Sequence, residues 1–197
     1  MKKQLYFSLD IEGTGKTLKH PINAYGYCIG DRYGNISDCG ECHIKTDKSV
    51  LEPQCKEEFY DKHPGLWEEL QKGAIDPKDA ARLLDTVSRE KAEKEGYQTI
   101  LISDCPDYDI ARLDAFLYEH LERDPLRYDS KGNRRWVVDP SERASAFGKN
   151  IEEACQKEAD DKVEHDHRPM NDAIHHYHLY LETLNVTEAI EEGRFTN

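Results

Sequence analysis

Asp10 and Glu12 stand two residues apart at the end of an apolar run, Leu5 to Leu9, and the chain then breaks at Gly13-Thr14-Gly15. On a strand, residues i and i+2 point to the same side. The two carboxylates would stand side by side, and at that spacing they repel unless a cation sits between them. Oxygen-only ligands favour a hard ion such as Mg²⁺ or Mn²⁺. Taken alone, the pair reads equally well as a solvated strand end.

Two further segments can supply partners. In Thr99 to Leu113 an apolar run ends in three aspartates, Asp104, Asp107 and Asp109, where a helical pattern begins. One Asp at such a point is a helix cap, but three exceed what capping needs. In His165 to Ala173, His167 and Asp172 are five residues apart across a helix start marked by Pro169. That spacing brings an imidazole and a carboxylate to one end of the helix. His165 is the weaker candidate, because five residues on it meets Met170. Each of these residues also has an ordinary reading, His as partly exposed surface and Asp as a complement to the helix dipole.

The elements that must position them follow from periodicity. Strands are expected at Leu5–Leu9, Ala24–Gly30, Ile36–Thr46, Thr99–Ser103 and Trp136–Val138. Helical spacing covers Glu57–Glu95 with a break at Pro64-Gly65 and a start signal at Asp76-Pro77. It recurs at Asp109–Leu121, Ile151–Lys162 and Pro169 to about Leu184, and residues 124–133 read as a polar loop. A strand meander followed by alternating helices and strands predicts an α/β fold, a mixed central sheet with flanking helices, in a single domain over residues 1–197.

The net charge of −13 speaks against tight, sequence-independent binding to duplex DNA, which relies on clustered Lys and Arg. It leaves room for a nucleic-acid enzyme whose bound cations draw the phosphate in. No apolar run approaches the roughly 20 residues of a membrane helix, and the first residues do not read as a signal peptide. The six cysteines are irregularly spaced in a chain of ordinary size, which predicts reduced thiols in a cytoplasmic, intracellular setting.

Asp-x-Glu after the first strand, Tyr108-Asp109 at a mid-chain helix start, and His167-x4-Asp172 near the C-terminus together resemble the DEDDh family of 3′–5′ exonucleases (DnaQ-like). The match in order and spacing runs from about residue 5 to about 185. Each motif is short, and the ordered set of three carries the resemblance. Two positions depart from the family pattern. Pro169 stands where Ala is usual, and the Asp104-Cys105 region replaces an Asn.

The resemblance implies a ribonuclease H-like fold and a two-metal hydrolysis of phosphodiester bonds from the 3′ end of single-stranded DNA or RNA. Asp10, Glu12, Asp109 and Asp172 would hold two Mg²⁺ or Mn²⁺ ions, with Asp10 bridging. His167 would be the general base. Gly13 and Thr14 would approach the 3′-terminal nucleotide; proteins of that family are often dimers, so a homodimer is one possible state, and the sequence leaves it open. The rival reading is a catalytically silent domain of the same fold, serving as a nucleic-acid-binding or protein-interaction module.

Other signals weigh less. Gly15-Lys16-Thr17 is not a phosphate-binding loop, because Asp10 stands where its first glycine belongs. Cys39, Cys42, His43 and Cys55 could hold zinc, but a clear second ligand pair is missing. His175, His176 and His178 read as solvated or partly packed, with His176 a peripheral contact at most. Lys131, Arg134, Arg135 and Trp136 form a basic-aromatic cluster, read as a solvated loop entering a strand with a buried Trp ahead of a grip on single strands.

Overall fold

The computed structural model describes residues 3–123, 126–163 and 166–194, so His165 lies outside the described residues. Five strands form one mixed sheet: β1 (Lys3–Gly13), β2 (Ile22–Gly30), β3 (Ile36–His43), β4 (Tyr97–Ile102) and β5 (Trp136–Val138), in the spatial order β3-β2-β1-β4-β5. The first three are antiparallel neighbours, whereas β4 runs parallel to both β1 and β5. The helices are α1 (Pro53–Cys55, continued as a π-helical turn to Tyr60), α2 (Leu66–Gln71), α3 (Pro77–Thr86, continued to Lys91) and α4 (Asp109–Leu121). After β5 come α5 (Pro140–Ser145), α6 (Lys149–Asp160) and α7 (Pro169–Glu191). No described helix is long and apolar enough to cross a membrane.

Strand β1 is the centre of the sheet, and its alternation divides the core in two. Leu5, Phe7, Leu9 and Ile11 face α3 and α4, where they meet Ala80, Leu84, Ile110, Leu113 and Leu117. Tyr6 faces the other way and packs with Ala173, Tyr177, Tyr180 and Leu181 of α7. Ser8, Asp10 and Glu12 share that second face by period and are buried as well. The long apolar stretch of β1 is thus what a strand covered on both sides requires.

Helix α7 comes this close to the sheet because β2 is small along the line of contact. Gly26 pairs with Asp10, and a Cβ at Gly26 would overlap the backbone of Pro169 and Met170. Two turns on, Tyr177 covers Gly30 and donates its hydroxyl to the Asp31 carbonyl at 2.6 Å. The first turn of α7 is therefore pressed onto the sheet beside Asp10.

Several boundaries differ from expectation. β1 continues to Gly13, so both acidic residues lie inside the strand, because β2 pairs with it that far. Helix α7 runs on to Glu191. Helix α5 is a missed element, although Asp139-Pro140 repeats the Asp76-Pro77 signal and Asp139 caps the Glu142 N–H at 2.8 Å. Trp136, expected to be buried, is 68% exposed on the edge strand, and Arg135 is the buried member of that cluster. Arg135 donates to Ser88 Oγ at 2.8 Å and pairs with Glu93.

The contact at Gly26 makes a direct prediction. Gly26→Ala should cost about 2 kcal/mol or more in urea unfolding, because backbone cannot yield as a flexible side chain does. A midpoint equal to that of the unsubstituted protein would show that α7 does not rest on β2 as described.

Candidate active site

The site lies beyond the carboxyl ends of the parallel pair β1 and β4, where ligands of open α/β sheets commonly bind. β1 delivers Asp10 and Glu12. The chain leaving β4 delivers Asp104, then Asp109 as the first residue of α4. The first turn of α7 delivers Asp172, and the segment before it delivers His167. Asp10, Glu12, Asp109 and Asp172 are all buried, with Asp109 and Asp172 each 3% exposed. Asp107 is exposed, so of the three clustered aspartates Asp104 and Asp109 are the two turned inward.

Ligand atoms gather in two groups. In one, those of Glu12, His167 and Asp172 all lie within 4.8 Å of one another. In the other, those of Asp10, Asp104 and His176 do so. Among the described residues these are the groups of His, Cys, Asp and Glu close enough to share an ion. Cys39, Cys42, His43 and Cys55 form no such group. Cys39 is exposed, Cys42 is buried in the core beside α3, and Cys55 turns its thiol to the Gly13 carbonyl.

Burial and crowding set the electrostatics. Asp10 is held well above the usual carboxylate range, first by burial and then by Asp109, Glu12, Asp172 and Asp104. Glu12 is raised likewise by burial, then by Asp172 and Asp109. Burial pushes Asp109 up to about 8, against the pull of a hydrogen bond from the Ser103 hydroxyl at 2.6 Å. Asp104 raises it further, and Arg112 lowers it. A buried set of like charges that is this costly fits a divalent cation in both charge and donor type.

His167 is held from several sides. Its backbone is left-handed, with φ of 61°, a strained conformation for a residue other than glycine. Its ring meets the edge of His63 at 4.4 Å and Phe59 at 5.3 Å between centroids. Arg168 pairs with Glu69 of α2 at 2.7 Å, which ties this loop to the α1–α2 segment. Asp166 accepts from the Arg168 N–H and the Asn171 side chain.

The segment after β1 is fixed by a residue that the sequence reading left unassigned. Arg112 is buried, donates to the Gly15 carbonyl at 2.7 Å and to the His20 carbonyl, and stacks on Tyr108 at 4.5 Å. Tyr108 also donates to the Gly15 carbonyl at 3.1 Å. A Cβ on Gly13 would run into both side chains. Thr14 is fully buried, and its hydroxyl donates to the Pro21 carbonyl at 2.9 Å. The one signal for Arg112 was its spacing, three residues after Asp109 and so one helical turn away.

His176 is the second residue missed. Instead of a peripheral contact it is 2% exposed, with Nε2 3.5 Å from an Asp104 oxygen. Its position four residues after Asp172 put it on the same helix face, and that was the available signal. His175 turns the opposite way, to Gln156 and Asp160 of α6, each at 2.9 Å.

No family model matches the chain, and no curated protein matches it in sequence. Solved structures do match. E. coli exonuclease I in complex with a 5cy-dT13 oligonucleotide superposes with a TM-score of 0.66 at 12% identity, over 97% of this chain and 42% of that one. Product-bound exonuclease I gives 0.66 at 11%, over 97% and 46%. The zinc-ion-bound form of an E. coli exonuclease I complex with single-stranded DNA gives 0.58 at 10%, over 97% and 41%. The chain spans less than half the length of these proteins. At such identities the likeness is one of fold, and it bears out the expected ribonuclease H-like α/β architecture, a mixed sheet with flanking helices.

Proposed function

We propose that this chain is a metal-dependent 3′–5′ exonuclease of the DEDDh type, hydrolysing single-stranded DNA or RNA from its 3′ end. The observation that carries the reading is the convergence of Asp10, Glu12, Asp109, Asp172 and His167. They come from three distant stretches of chain: the four carboxylates are buried, Asp10 and Glu12 feel the charges of Asp109 and Asp172, and half-buried His167 lies with Glu12 and Asp172. A module that merely binds has no need of that set. The likeness in fold to exonuclease I supports the reading, while the similar structures give no support to a homodimer.

In this reading the four carboxylates hold two Mg²⁺ or Mn²⁺ ions. Such ions, when bound, supply positive charge against the scissile phosphate and acidify water. His167, beside Glu12 and Asp172, takes the proton from water as its oxygen adds to phosphorus. The P–O3′ bond breaks, and the 3′-oxygen leaves with a proton from solvent as the hydroxyl of the shortened strand. The left-handed backbone and the His63, Phe59 and Glu69 contacts fix the imidazole ahead of the reaction, which lowers the cost of orientation. Gly13 and Thr14 are buried, so they would shape the strand end behind the 3′-terminal nucleotide rather than touch it. The Thr14 hydroxyl is already committed to Pro21.

The direct test is 5′-labelled single-stranded DNA and RNA incubated with Mg²⁺ or Mn²⁺, with and without chelator. A metal-dependent ladder shortening from the 3′ end is expected. Asp10→Ala should abolish it, and His167→Ala should slow it by roughly 10²-fold or more. Absence of metal-dependent cleavage of either polymer would favour the silent binding module.

Stability should also report the cations. Carboxylates raised in the folded state keep protons that the unfolded chain releases between the ordinary carboxylate range and about pH 8. Raising the pH through that window therefore removes stability from the metal-free protein, by on the order of a few kcal/mol. The thermal midpoint without metal should fall between pH 5 and pH 8, and Mn²⁺ should restore it at pH 8 with little effect at pH 5. Asp10→Asn should flatten both responses. A metal-free midpoint that climbs over this range would contradict the electrostatics described.

A further inference from the structure

We infer that at one of the two cation positions Asp104 and His176 join Asp10 of the carboxylate set, and that this nitrogen-bearing position selects Mn²⁺ over Mg²⁺. The inference rests on the metal-dependent reading above and specifies which ion this part of the site takes.

The geometry is that of ligands around one ion. The ligand atoms of the three residues lie within 4.8 Å of one another, and His176 Nε2 is 3.5 Å from Asp104 Oδ2. Two ligands each about 2.1–2.2 Å from a metal stand about 3.0–3.5 Å apart at ordinary coordination angles. The chain spends a buried imidazole here. His176 is 2% exposed, and it faces the acidic site although His175 beside it faces α6.

A separate observation comes from β1. Ser8 lies one alternation behind Asp10 on the same face, level with Ile102, just before the turn that carries Asp104. Its hydroxyl is fully buried and finds no hydrogen-bond partner among the described residues. Buried hydroxyls are normally satisfied. A cation that keeps part of its hydration shell brings a water to such a group.

The two groups divide the labour of one helix face. Asp172 and His176, four residues apart on α7, face Glu12 and Asp10 respectively. Mg²⁺ demands oxygen ligands in near-octahedral order, whereas Mn²⁺, though the weakest imidazole binder of the divalent first-row series and also at home with carboxylates, accepts a nitrogen donor more readily than Mg²⁺ does. Replacing an all-oxygen position by one containing His176 therefore shifts preference toward Mn²⁺. Asp104, with its side chain 37% exposed, is the member open to solvent.

Mn²⁺ titration of the full chain, read by electron paramagnetic resonance with pulsed detection of ¹⁴N coupling, tests this. Because His167 stands in the other group, the key sample is His167→Gln. It should keep a nitrogen coupling to bound Mn²⁺, and absence of coupling there overturns the inference without need of a His176 variant. His176→Gln in that background should remove the coupling and weaken one Mn²⁺ by about tenfold or more, with Mg²⁺ affinity changed about twofold or less. Asp104→Asn, at a part-exposed position, should weaken the same Mn²⁺ similarly. Equal losses for Mg²⁺ and Mn²⁺ would overturn the claimed selectivity. Coupling that depends on His176 in a protein without 3′ cleavage would sink the exonuclease reading and leave this position standing. Cleavage without such coupling would do the reverse.

Discussion

Four buried carboxylates at the end of one strand are the constraint on which this molecule depends. Asp10, Glu12 and Asp109 are held above the ordinary carboxylate range, first by burial and then by neighbouring carboxylates, Asp172 being among those that act on Asp10 and Glu12. Nothing local to β1 would hold such a set together. It is held by packing on both faces of the strand, α3 and α4 on one side and α7 on the other. The cost of the site is thus carried by the core. This is the usual relation between a strained functional site and the scaffold around it.

The same turn of chain often serves both tasks. Tyr108, Asp109 and Arg112 open α4 within a single helical turn. Asp109 joins the site, while Tyr108 and Arg112 bind the carbonyls that shape the segment after Glu12. On the other flank of the site, the exposed Arg168–Glu69 pair links the loop bearing His167 to α2. The proposed carboxylates stand on strand and helix, His167 stands on the loop before α7, and the buried donor Arg112 ties down the segment after Glu12.

Much of this was legible in the sequence, for physical reasons. Short apolar runs, and polar alternation in the third, marked all five strands, and the helical spacing from Asp109 to Leu121 matched its element at both ends. Asp10, Glu12, Asp109, Asp172 and His167 were singled out as an ordered set by the resemblance to the DEDDh pattern, which also chose Asp109 over Asp104 and Asp107; spacing alone left each with an ordinary reading. Arg112 and His176 were not, because their roles depend on which distant segment a helix face meets. Spacing places a residue on a face but does not say what lies opposite. Trp136 failed for a related reason: a large apolar residue is usually covered, and only the sheet order reveals that β5 is an edge. The extra length of β1 was hidden because acidic residues end an apolar run whether or not the strand continues.

Gly26 carries a consequence for how the site comes into being. The surface it opens is filled by Pro169 and Met170, which lie far along the chain. Strands β1 and β2 can pair early, since they are neighbours in sequence, and they then hold Asp10 and Glu12 together without their partners from α7. Closing so long a loop is slow and entropically costly. The site is thus completed by a contact of long sequence separation, and it is assembled by the docking of α7. During synthesis the chain lacks the complete set of site residues until that helix has emerged.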